Sequence, residues 1–120
     1  MKIPIEIIPD AYKFSKQVFE NKLTSDEAAV KLHNTHNINI NSAKDYVFYF
    51  KYLITGMGSC RILSSYTQEY FLKRIYEDYG KGQLGKSLKA FRLLIVTFEG
   101  EKVGSKKSMR AVYEKYLKLV

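Results

Sequence analysis

Apolar positions recur every three or four residues along most of this chain, the spacing that gives a helix one buried face. The first stretch is the exception. Ile3, Ile5 and Ile7 alternate beside Pro4 and Pro9, which predicts an extended arm or a short edge strand. Asp10 is placed to cap a helix over 11–22 that turns Ala11, Phe14 and Val18 to one side. Thr24 and Glu27 have capping-box spacing and open a second short helix, DEAAVKLHNTH. NININ at 37–41 is polar and turn-prone, ending on Asn41 or Ser42 as the cap of a third helix, SAKDYVFYFKYLITG. The buried stripe of that helix would be Ala43, Tyr46, Val47, Phe50, Leu53 and Ile54.

GMGSCRILSS then reads as a loop. Ser65 and Gln68 form another capping box before YTQEYFLKRIYEDY, and Gly80 stands where a left-handed terminator belongs. Leu84, Leu88, Phe91, Ile95 and Phe98 continue at helical spacing to Gly100, although Ile95-Val96-Thr97 also suits a strand. A last helix from about Ser105 would bury Met109, Val112, Tyr113, Tyr116 and Leu117. The expectation is one all-α domain of five to six helices, carrying an N-terminal arm and a helix-turn-helix-like pair.

Composition narrows the class. At 120 residues with 46% hydrophobic content the chain can bury a core. No apolar run reaches the roughly 18 residues a membrane span needs. Glu6, Pro9 and Asp10 interrupt what a signal peptide would keep apolar, and the single Cys60 permits no intrachain disulfide. Both point to a cytoplasmic protein.

Charge adds a direction. The net charge is +8, and residues 79–120 hold half of the 20 Lys/Arg against only Glu99, Glu101 and Glu114. Lys81, Lys86, Lys89, Arg92, Lys106, Lys107 and Arg110 therefore make a phosphate-binding surface, where cations neutralise a polyanion and release counterions. Opposite the buried stripe of the third helix lie Lys44, Phe48, Lys51, Tyr52 and Thr55, a face that could enter a groove or pack against another helix. Arg61, in the Gly/Ser loop, can reach a base edge or a phosphate.

Three other chemistries are weak. GKGQLGKS at 80–87 satisfies the Walker A pattern, but helical FLKRIYEDY precedes it where a buried strand is required. LLIVTFE follows too closely for a βαβ crossover. His33 and His36 lack the third and fourth ligands of a metal site. Cys60 has no nearby His or acid in sequence, and no catalytic constellation is evident. The reading is a non-enzymatic protein without cofactor or metal.

The run NSAKDYVFYFKYLITGMGSCRILSSYTQEYFLKRIYEDYGKGQLGKSLKAFRLLIVTFEG, with MRAVYEKY after it, resembles a domain found ahead of the nuclease module in bacterial HNH proteins of the McrA-like restriction endonuclease type. The likeness covers roughly residues 40–117 and matches Ser42, Ala43, Asp45, Tyr46, Arg61 and Tyr70. It implies a DNA-targeting module of a restriction-modification or phage-defence system, and the HNH motif itself is missing. The alternative is a protein-interaction module, such as a phage or mobile-element inhibitor that binds a nuclease, or a homodimerisation domain.

Overall fold

The computed structural model describes residues 5–58, 60–61, 63–100 and 107–120. Among them lie six helices and no strand: α1 (Ile7–Phe19), α2 (Ser25–His36), α3 (Ile40–Thr55), α4 (Ser65–Tyr79), α5 (Lys81–Gly100) and α6 (Lys107–Leu117). The all-α expectation holds. Chain contacts divide these elements into two units, residues 1–52 with 57–61 and residues 53–56 with 62–120.

In the first unit, α1 begins earlier than its pattern suggests. Glu6 is its N-cap, so Pro9 and Asp10 lie inside the first turn. Proline is tolerated there because the first N–H groups of a helix have no intrahelical acceptor. Ile7 and Ile8 are both buried, and that burial draws the supposed arm into the helix from residue 7 onward. Ile3 and Pro4 lie outside the described residues. The α2 capping box is present: Glu27 N–H donates to Thr24 Oγ1 at 3.1 Å, and Thr24 N–H to Glu27 Oε1 at 2.9 Å.

The connection from α2 to α3 is shorter than NININ implied. Asn37 takes the left-handed conformation (φ 54°, ψ 36°) that ends α2. Asn39 Oδ1 then accepts from Asn41 N–H at 2.7 Å and starts α3. Only residues 37–39 remain as the turn, the length of a helix-turn-helix connection. Buried Ile38 anchors it. Tyr12, Leu32, Tyr49 and Phe50 form the centre of this unit, with Tyr12 and Phe50 edge-to-face at 5.4 Å.

The second unit packs α4, α5 and α6 with the last turn of α3. Ser64, one residue before the expected cap, accepts from Thr67 N–H at 3.2 Å, while Gln68 Nε2 donates to the Leu63 carbonyl at 2.7 Å. Gly80 ends α4 with φ 87°, and α5 starts at the next residue. Phe71, Leu72, Ile75, Leu84, Leu88, Phe91, Ile95 and Met109 fill the core. The β-branched run stays helical because Ile95 is buried, and Thr97 Oγ1 donates to the Leu93 carbonyl at 2.8 Å instead of competing for strand pairing. Leu117, expected in the core, is exposed, and Tyr113 is half-buried. Among the described residues no helix is long and apolar enough to cross a membrane.

Candidate nucleic-acid interface

The geometry of α5 decides the Walker A match at 80–87. From Lys81 onward the backbone is helix, so no loop exists to wrap phosphates. Ser87, which would hold Mg²⁺ in a phosphate loop, is fully buried, and its hydroxyl donates to the Leu53 carbonyl at 2.7 Å. Gln83 Nε2 donates to the neighbouring Ile54 carbonyl at 3.1 Å. Both contacts satisfy carbonyls at the end of α3 that have no intrahelical donor. These two residues are structural clamps.

On the opposite side of α5 the picture is different. Lys81, Lys86, Lys89 and Arg92 are all exposed, and residues 81–98 contain no acid. None of the four makes an ion pair or hydrogen bond among the described residues. Lys86 and Lys89 rim a groove of about 440 Å³ whose apolar floor includes Ile54 and Ala90. Leu93 lies in the same groove, 58% exposed. Gly82 and Gly85 share this outward side, and a Cβ at either would meet open space. Intramolecular packing therefore gives no reason for glycine at these two helical positions.

Lys107 and Arg110 are exposed on α6. Lys106 lies outside the described residues. Arg61 is exposed in the α3–α4 connection. Along α3 the outward stripe is Asn41, Lys44, Phe48, Lys51 and Thr55, at the 3-4-3-4 spacing of one face. Phe48 is 44% exposed, whereas Tyr52, expected on this face, is buried in the first unit. Lys44 is not a bare cation: its Nζ lies 3.2 Å from Asp26. The expected cations are thus divided between the two units, with Lys44, Lys51 and Arg61 in the first and those of α5 and α6 in the second.

The remaining chemistry-bearing groups have local partners. His33 Nδ1–H donates to the Ile38 carbonyl at 2.7 Å, and His36 Nε2–H to Asp10 Oδ2 at 2.8 Å. Periodicity does not pair Asp10 with His36, since 26 residues separate them. No group of three potential metal ligands occurs among the described residues. Burial, and then the charge of Asp45, pushes the Cys60 thiol up to about 11, which leaves it protonated and weakly nucleophilic at neutral pH. Desolvation raises buried Tyr49 well above the ordinary phenol range, with Cys60 and Tyr52 adding to the shift.

α4 carries a feature that periodicity alone did not single out. The Tyr66 and Tyr70 rings stack with centroids 6.5 Å apart and planes 22° from parallel. The Arg74 guanidinium lies 5.8 Å from the Tyr70 ring, and its Nη1 donates to the Tyr70 hydroxyl at 2.9 Å. The i, i+4, i+8 spacing could have revealed this ladder, but the core residues Phe71, Leu72 and Ile75 dominate the local pattern. No protein-family model matches the chain, and no curated protein or solved structure is found similar to it.

Proposed function

We propose that this chain is a DNA-binding domain without catalytic activity of its own, which engages the phosphate backbone through the outward side of α5. The observation that carries the reading is the set of four exposed cations on α5, Lys81, Lys86, Lys89 and Arg92, with no acid on residues 81–98 to neutralise them. Unpaired cations along one helical face supply the counterion-release term that dominates non-specific affinity. Lys107 and Arg110 of α6 would extend the same surface.

Selectivity is assigned to α3 and to Arg61. A three-residue turn ahead of α3 supports a helix-turn-helix role, in which Asn41, Lys44 and Phe48 of the second helix address a groove. The likeness to the domain that precedes HNH nucleases agrees with this proposal and would make the chain a targeting module for restriction or phage defence. Exposed Leu93 and Val96 support a second reading, a docking face for a nuclease or other bacterial protein with acidic and apolar residues.

A gel shift at low salt tests the proposal. Duplex DNA should bind, and Lys86→Glu/Lys89→Glu/Arg92→Glu should abolish the shift for every sequence tried. Equal binding by wild type and variant would overturn the assignment to α5. No DNA binding by the wild type, with a stoichiometric complex with a nuclease in its place, would establish the second reading.

A further inference from the structure

We propose that the tyrosine ladder on α4 is a stacking site for an unpaired nucleobase, with Lys73 holding the adjoining phosphate. The inference rests on the reading that this chain binds nucleic acid and names a second class of substrate for it, single-stranded or locally opened DNA.

Tyr66, Tyr70 and Arg74 fall at i, i+4 and i+8, so their planar groups rise along one line of α4. Tyr70 is the middle member of this ladder, its ring centroid 6.5 Å from that of Tyr66 and its hydroxyl accepting from Arg74 Nη1 at 2.9 Å. Tyr66 ends the ladder and is 49% exposed, so about half of the residue is accessible to a ligand. The ring sits in a groove of about 260 Å³ lined by Ser65, Tyr66, Glu69, Tyr70, Lys73 and Val112. A planar ring entering that groove would meet both tyrosines.

Charge selects what that ring belongs to. Glu69 would repel an anion, but Lys115 Nζ lies 3.0 Å from its carboxylate and offsets the charge. The hydrogen bond to Glu69 raises the Lys115 pKa, so the ammonium stays charged. Lys73 is exposed, lines the same groove and makes no ion pair among the described residues. A stacking ring beside one available cation fits a nucleotide, whose base supplies the ring and whose phosphate supplies the negative charge. The base must be unpaired, because inside a duplex its neighbours already cover both π-faces. An opened strand could then lie on α4 while duplex phosphates engage α5, within the same unit.

The test uses the full chain at low salt with two labelled probes, a single-stranded oligo(dT) and a blunt duplex. Wild type is expected to bind both. Tyr66→Ala should weaken oligo(dT) binding by about 5- to 150-fold, the range that removal of one base stack produces. Tyr66→Phe, which keeps the ring, should stay within about twofold of wild type by the same principle, and duplex affinity should not change in either variant. Lys73→Gln gives an independent check, lowering the single-strand salt slope by about 0.7. Circular dichroism melting verifies that each variant is folded.

Absence of single-strand binding by wild type overturns the site. So does a Tyr66→Ala variant that keeps its oligo(dT) affinity, which would leave the ladder to a protein partner, or one that loses duplex and single strand equally. The two readings fail separately. Tyr66-dependent oligo(dT) binding without duplex binding sinks the α5 proposal alone. Duplex binding that depends on α5, with Tyr66 inert towards oligo(dT), sinks the α4 proposal alone.

Discussion

α4 and α5 lie in the same unit, and both carry exposed cations, yet their charges are disposed differently. On α4, Arg74 Nε lies 3.6 Å from Glu77 and its Nη2 3.8 Å from Asp78, while Glu69 is held by Lys115. Lys73 alone lacks such a pair among the described residues. On α5, Lys81, Lys86, Lys89 and Arg92 face solvent with no acid on 81–98. Net charge already separates the two helices, −1 on α4 (Lys73 and Arg74 against Glu69, Glu77 and Asp78) and +3 on α5 (Lys81, Lys86, Lys89 and Arg92 against Glu99). Pairing widens the gap: an ion pair within a helix adds a few tenths of a kcal/mol to stability and leaves little field outside, whereas unpaired like charges cost stability and project a field. The exposed cations of α5 are the basis of the proposed DNA contact, and the contrast with α4 is what experiment can break.

The largest effect that could break this contrast comes from charge reversal. Lys86→Glu/Lys89→Glu/Arg92→Glu should lower duplex affinity by about 100- to 1,000-fold near 0.1 M salt, because three phosphates go unneutralised. Titration by fluorescence anisotropy measures it, and a drop below tenfold would mean that α5 is not the binding face. Next in size is the inner side of the same helix. Ser87→Ala removes the hydroxyl that satisfies the Leu53 carbonyl and should cost about 1–3 kcal/mol in chemical denaturation, without changing the salt dependence of DNA binding.

The glycines sharpen the comparison further. Gly82→Ala and Gly85→Ala place a Cβ in open space, so each should stabilise the helix by about 0.5–1 kcal/mol. A lowered melting temperature would show a packing role that the structure does not contain. The smallest effect belongs to α4. Arg74→Gln breaks pairs that are partly exposed and should cost only a few tenths of a kcal/mol, with duplex affinity unchanged. A clear fall in duplex affinity in Arg74→Gln would erase the distinction between the helices.

Helix existence was legible in the sequence because each core face repeats at three and four residues, as Leu84, Leu88, Phe91 and Ile95 do on α5. Where the elements begin was less so. α1 starts at Ile7 because the burial of Ile7 and Ile8 outweighs a Pro9 that a first turn tolerates, and sequence alternation carries no sign of that burial. NININ reads as polar, yet Ile38 is buried and Asn39 caps the next helix, so α3 takes up residues 40 and 41 of the expected turn. Gly82 and Gly85 do not interrupt α5, which runs straight through them because Leu84 and Leu88 are buried on its inner side.

The candidate site shows the same division. The excess of Lys and Arg after residue 79 was visible from composition, but which cations are paired was not. Lys73 and Glu77 stand at i,i+4 spacing in the sequence, yet Arg74 takes that carboxylate at i,i+3. Lys44, on the outward face of the third helix, is held by Asp26, 18 positions earlier. Ion pairing depends on rotamers and on helix neighbours distant in sequence, neither of which periodicity encodes.

The most direct measurement of the central claim is the slope of log affinity against log salt concentration for duplex binding, taken on wild type and on Lys86→Glu/Lys89→Glu/Arg92→Glu. If the unpaired cations of α5 hold backbone phosphates, wild type should have a steep negative slope that becomes shallower by about 2.7 in the variant, about 0.9 for each phosphate no longer neutralised. Equal slopes in the two proteins would contradict the account.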